Sequence, residues 1–246
     1  MRRRASVATI AAVLGIAGTA LAVTINLDPP DSQENVVSDA IETADTPWSG
    51  TNFDIRHVNA LGAGHTAVIT TLTDDSRNDL GARLVIDSVN GNSWVAWWRD
   101  AGIDQVLVRK RVQATGAWAP ERVQSGSGED SRHPSVVFDG SHAWIAYETT
   151  GTGGATILKA KHIDDDPAPF LATIAVATSS YPGPLRALIQ AESGHLWLSW
   201  VDSETQVGWC RYEFVSGTWA APAFESYASD SVEDARERIR SSVLAN

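Results

Sequence analysis

The chain has 246 residues, 43% apolar and 20% charged, enough for one large domain or two small ones and incompatible with disorder throughout or a collagen-like fibre. Its 19 Lys and Arg face 30 Asp and Glu, a formal charge of −11. Such a surface repels phosphate backbones and anionic membranes, so nucleic acid is set aside as a partner.

The chain opens on Arg2, Arg3 and Arg4, runs through an unbroken apolar and small-residue stretch over residues 7–17, and reaches a small-x-small step at Ala20-Leu21-Ala22. That pattern is a secretory signal over residues 1–22, which places the mature protein, starting at Val23, outside the cytoplasm with no stable membrane insertion. An uncleaved anchor is the rival, because residues 5–25 are nearly long enough to span, but their Ala, Gly and Thr lower the hydropathy. Without its three leading arginines the chain carries 16 positive against 30 negative residues, a charge of −14. Residues 28–45 hold Asp28, Asp31, Glu34, Asp39, Glu42 and Asp45 with no base and two prolines, and read as part of a flexible acidic linker over residues 23–50.

Residues 51–228 are governed by a repeat. Ala82-Arg83-Leu84-Val85-Ile86-Asp87 leads to Trp94-Val95-Ala96-Trp97, Pro134-Ser135-Val136-Val137-Phe138-Asp139 to Trp144-Ile145-Ala146-Tyr147, and Pro184-Leu185-Arg186-Ala187-Leu188-Ile189 to Trp197-Leu198-Ser199-Trp200. The anchor tryptophans stand 50 and 53 residues apart. A third apolar run follows each anchor and ends on Lys110, Lys161 or Arg211, a recurring cation suited to an ion pair with a neighbouring unit. Then comes an aromatic turn, Gly116-Ala117-Trp118-Ala119-Pro120 in one copy and Gly217-Thr218-Trp219-Ala220-Ala221-Pro222 in another, with Pro169-Phe170 between them. Residues 53–58 and 66–72 read as the third and fourth strands of a preceding unit. Residues 239–244 fall where a further first strand is due and would join that N-terminal pair; alternatively residues 232–244 form a terminal helix, since Glu233, Ala235, Arg236, Glu237 and Arg238 are good helix formers.

Four short strands in every repeat of about fifty residues, with no helical periodicity, predict an all-β chain: a β-propeller of four-stranded antiparallel blades, about three full repeats plus a partial blade, open or truncated. A four-stranded sheet cannot bury both faces alone, so Trp94, Trp144 and Trp197, with Trp97, Tyr147 and Trp200, are assigned to the packing between units. Trp98 and Trp209 break the repeat and are the aromatics most available for other work. Cys210 is the single cysteine, so no intrachain disulfide forms, and its apolar surroundings predict a buried, inert thiol.

The apolar strand, Asp-Gly turn, Trp-x-Ala-Trp/Tyr strand and Gly-x-Trp-x-x-Pro turn resemble the secreted sialidase-type propellers built of bacterial neuraminidase repeats, over roughly residues 53–224. The chain departs from the family's Asp-box: Ala114-Thr115-Gly116-Ala117-Trp118 lacks its Asp, and Ser216-Gly217-Thr218-Trp219 keeps only the tail. The resemblance implies a glycan ligand over the axis, gripped at its carboxylate by three arginines, with a Tyr nucleophile, its Glu and an acid/base Asp. Arg77 and Arg132 match two of the arginines, Arg186 lies within a strand, and Tyr181 is the one rim tyrosine. The catalytic set is thus incomplete, and the expected function is a non-catalytic module binding a glycan or an extracellular protein. A divergent exo-sialidase-like glycosidase and a structural propeller fragment are the alternatives. The ligand-binding candidates are Arg77, Asp79, Asp130, Arg132, His133 and Tyr181. No cofactor or metal is expected: His57, His65, His133, His142, His162 and His195 form no short-spaced pair, and Asp164, Asp165 and Asp166 lack the alternation of a calcium loop.

Overall fold

The computed structural model describes residues 35–38, 41–45, 54–60, 68–150, 156–163, 172–174, 185, 187–192 and 194–226, and every regular element among them is a strand. Each strand pairs antiparallel with its neighbours, in four sheets. The first holds β1 (Asn35–Ser38), β2 (Ile41–Asp45), β3 (Arg56–Ala60) and β4 (Val68–Thr71) in chain order. The second holds β5 (Asn78–Ile86), β6 (Ser93–Asp100), β7 (Gln105–Val112) and β8 (Ala117–Trp118), with β9 (Arg122–Val123) also on β7. The third is β10 (Asp130–Phe138), β11 (Ala143–Thr150), β12 (Thr156–His162) and β13 (Ala172–Ile174). The fourth is β14 (Leu188–Glu192), β15 (His195–Ser203), β16 (Gln206–Glu213) and β17 (Thr218–Trp219), with β18 (Ala223–Ser226) also on β16.

Three sequence expectations are corrected. The acidic stretch assigned to a linker supplies β1 and β2, where β-branched Val36, Val37, Ile41 and Thr43 favour extended backbone. The first sheet therefore takes its first two strands from there, and the C-terminal strand proposed for it, residues 239–244, lies outside the described residues, as does the alternative helix. In the third repeat, Gln190 faces Trp197 where Val85 faces Trp94 and Val137 faces Trp144. Ala187, not Pro184, is thus the counterpart of Ala82 and Pro134; equal hairpins in the second and third copies move the register by three residues. The recurring cation also dissolves: Lys110, His162 and Arg211 stand opposite the anchor tryptophans, whereas Lys161 stands opposite Ile145, on the other face. Lys110 lies over the Trp94 ring instead, 4.9 Å from its centroid.

The aromatic turns are the hairpins between third and fourth strands, with Gly116 and Gly217 both at φ 67°. Each fourth strand is then split, β8 from β9 and β17 from β18, around Pro120 or Pro222, which has no N–H to give the ladder.

Successive residues of the second strands point to opposite faces, and both faces are covered. On β6, Trp94 and Ala96 pack with Ala143, Ile145 and Tyr147 of the third sheet. Val95 and Trp97 pack the other way, with Ile55 and Leu72 beside the first. Trp144 and Ala146 meet Leu196, Leu198 and Trp200 of the fourth sheet, the Trp144 and Tyr212 rings standing 4.9 Å apart. Sheets buried on both faces need apolar residues at nearly every position, which is why these strands lack alternation. Gly208 faces Trp200 across the ladder, and a Cβ there would stand only 2.5 Å from the indole Nε1 and Cζ2. Since Trp200 is fully buried, Gly208→Ala is expected to cost about 1 to 3 kcal/mol, read as a lower denaturant midpoint.

Candidate functional site

The rim carries the chemistry. Asn78 faces Asp100, and Asp130 faces Thr150, so the starts of β5 and β10 and the β6–β7 and β11–β12 connections share one end of the stack. Both first strands slip register at the same place, between Leu80 and Arg83 and between Arg132 and Ser135. The first bulge uses Gly81 at φ 66°; the second puts His133 at φ 52°, the only described non-glycine residue at positive φ. A side chain in the left-handed region is disfavoured, and such strain collects where a particular group must be presented.

Around His133 the structure gathers five further groups. The Arg132 guanidinium lies 5.7 Å over the Trp98 ring, its Nε pairs with the Asp104 carboxylate, and its Nη2 reaches Asp130 Oδ2 at 3.4 Å. Asp104 donates its N–H to Asp130 Oδ1 (3.1 Å) and accepts the Ser131 N–H on its carbonyl (2.8 Å), which ties the β6–β7 connection to β10. His133 stands edge-on to Trp98 at 6.2 Å, with Nδ1 3.2 Å from Glu148 Oε2. Glu148 also accepts the backbone N–H groups of Leu185 and Ala187, at 3.2 and 3.4 Å, and so couples this cluster to the fourth sheet. Burial holds the Asp104 carboxyl above its ordinary range despite Arg132, with Asp130 and Asp100 adding to the rise.

Of the sequence candidates, Asp130, Arg132 and His133 come together here. Asp79 is fully buried below the rim: its Oδ1 accepts Trp97 Nε1 at 2.8 Å and Arg99 Nε at 2.7 Å, and its Oδ2 accepts Arg99 Nη2 at 3.1 Å. Arg99 further forks onto Glu121 at 2.7 and 2.9 Å and meets Asp75 at 3.3 Å. These bonds hold it protonated beyond its ordinary value although burial opposes the charge. Arg77 is exposed in the turn before β5, its N–H on Asp75 Oδ1 (2.8 Å), whereas Arg132 lies inside β10. The two Asp-Ser-Arg segments are therefore not equivalent: Leu80 is the counterpart of Arg132. Tyr181 and Arg186 lie outside the described residues. Arg132 also bears on folding, because Asp104, whose side chain is 6% exposed, depends on its charge. Trp98, which breaks the repeat, belongs to the cluster; Trp209 lies within β16, opposite Ser199 and Ala223.

Asp104 and Glu148 escaped the sequence reading. Glu148 takes the repeat position of Trp98, and a carboxylate inside an apolar strand was its one available signal.

A second polar group lies between the second and third sheets. Tyr147 Oη and Lys161 Nζ both donate to the Gln124 carbonyl at 3.1 Å, and Lys159 pairs with Glu129. Burial, with Arg122 and Lys159 nearby, pushes Lys161 down to about 8 from 10.5. Between those values the unfolded chain keeps a proton that the folded chain has released, so stability rises with pH across that window and the full cost applies below it. Lys161→Met is expected to stabilise the protein by about 2 to 3 kcal/mol at pH 7 and to abolish the alkaline rise, as urea melts from pH 7 to 10.5 would show. Cys210 is buried and its thiol is pushed up to about 12. No group of three or more His, Cys, Asp or Glu suited to a metal occurs among the described residues. Asp164, Asp165 and Asp166 lie outside them. No helix among the described residues is long and apolar enough to cross a membrane.

Neither a family model nor a curated protein matches the sequence. Among solved structures, Trypanosoma rangeli sialidase in complex with the inhibitor DANA is similar at a TM-score of 0.51 and 10% identity, over 77% of this chain and 37% of that one. Exo-β-1,3-galactanase from Phanerochaete chrysosporium, with β-1,3-galactotriose, is similar at a TM-score of 0.50 and 15% identity, over 89% of this chain and 53% of that one. The chain thus spans between a third and just over a half of the length of these enzymes. The likeness is one of fold: an all-β stack of antiparallel sheets, shared with a sialidase and a galactanase.

Proposed function

We propose that this protein is an exported, non-catalytic propeller module, its four sheets acting as blades, that binds a glycan at the rim cluster of Trp98, Asp104, Asp130, Arg132 and His133. The observation that carries the reading is His133, held in a strained backbone conformation so that its imidazole meets Trp98 beside the Arg132 guanidinium. An aromatic face bordered by fixed polar groups suits a sugar, whose rings present C–H faces and hydroxyl edges. The two fold neighbours, one in complex with an inhibitor and the other with a galactotriose, add support. Secretion through a signal over residues 1–22 belongs to the same proposal, as does a rim contribution from Arg77 and Tyr181.

The test is a glycan array followed by calorimetric titration of the best ligand. His133→Gly removes the imidazole and relieves the φ strain, so it is expected to keep the melting temperature while weakening binding at least tenfold. Unchanged affinity would remove His133 from the site. A divergent glycosidase is the second reading, favoured by the buried Asp104 carboxyl with its raised titration point. Hydrolysis of fluorogenic glycosides that disappears in Asp104→Asn would establish it. A protein ligand would appear as an array without hits and a captured extracellular partner.

A further inference from the structure

Resting on the rim-site reading above, we infer that the site takes an uncharged, hydroxyl-rich sugar and discriminates against anionic ones. Arg132, the cation expected to grip a carboxylate, is already shared by two: Asp104 on Nε and Asp130 on Nη2. Glu148 stands beside His133. In direct contact the cluster holds three carboxylates against one permanent cation, on a chain whose formal charge is −11. An incoming carboxylate would have to share the guanidinium with Asp130 and sit next to it, a like-charge juxtaposition of the kind that excludes wrong partners. A neutral sugar meets no such penalty. Its hydroxyls donate to carboxylate oxygens, which are the stronger class of acceptor. The accessible part of the cluster offers one such acceptor in Asp130, with the Arg132 guanidinium as a donor and the His133 ring beside them: these side chains are 39%, 49% and 41% exposed. The Trp98 ring, with the guanidinium 5.7 Å from its centroid, supplies the aromatic surface against which a pyranose C–H face can rest.

Near-isosteric sugar pairs test this on the full chain, with NMR titration: methyl β-galactopyranoside against its galacturonate analogue, and methyl β-glucopyranoside against its glucuronate analogue. In at least one pair the neutral member is expected to bind tenfold or more tightly than the acid. Asp130→Asn, which leaves an oxygen for the Asp104 N–H but frees the guanidinium, is expected to narrow that ratio at least threefold. The inference is overturned if the acids bind as well as the neutral sugars, or if Asp130→Asn leaves the ratio unchanged; in both cases the rim site itself stands. Silence with all four sugars removes the glycan-site reading and this inference with it.

Discussion

Trp144→Ala is expected to lower the unfolding free energy by about 3 to 5 kcal/mol, the range for removing a large aromatic from a core. The side chain is only 2% exposed and joins the third sheet to the fourth through Tyr212, Leu196 and Leu198. Its Nε1 also donates to Asp139 Oδ2 at 2.7 Å, so truncation leaves a tight turn without one of its bonds. A loss of this size is a large share of a domain's total stability. Guanidinium melts of the variant should show a lower midpoint; an unchanged midpoint would mean that the anchor position is not inter-sheet core.

Arg99→Met should cost a comparable amount by another route. It leaves the Asp79 carboxylate fully buried with only Trp97 Nε1 as a donor among its described bonds, and breaking one side of a buried ion pair costs about 3 to 5 kcal/mol. The third sheet offers a control, for the counterparts of Asp79 and Arg99 there are Ser131 and Thr149, both buried and neutral. The double variant Asp79→Ser with Arg99→Thr is therefore expected to recover at least half of the loss. If the double variant is less stable than Arg99→Met alone, the charge pair is not what the single change disrupts.

The architecture was legible because it is written by repetition. The anchor strands place a large ring on each face of the second, third and fourth sheets, and on those faces Trp94 packs with Tyr147, and Trp144 with Trp200. Register was less legible, since a strand buried on both faces has no alternation to fix it; hence the three-residue error at Ala187 and the one-residue error at Lys161. The first hairpin was hidden by its charge. Residues 35–45 look like a solvated spacer by composition, and only pairing with β3 shows that Val36, Val37 and Ile41 lie in strands. In the candidate site, Arg77 and Arg132 were matched to the same role by resemblance, but they are structurally different: Arg77 lies in the exposed turn before β5 and Arg132 inside β10. Asp79 is a rim residue by position along the chain and a core residue by its bonds, and no spacing could distinguish the two. Asp104 and Glu148 act through partners distant in sequence, so nothing local marked Asp104, and Glu148 was marked only as a carboxylate inside an apolar strand.

The central claim, that a sugar is recognised at the Trp98 rim while the other large rings hold the sheets together, is tested most directly by the indole N–H resonances of the ten tryptophans. Titration with the sugar that binds best is expected to shift the Trp98 signal in a saturable way and to leave those of the buried Trp94, Trp97, Trp144, Trp197 and Trp200 in place. A saturable shift confined to other tryptophans, with Trp98 unmoved, would contradict it.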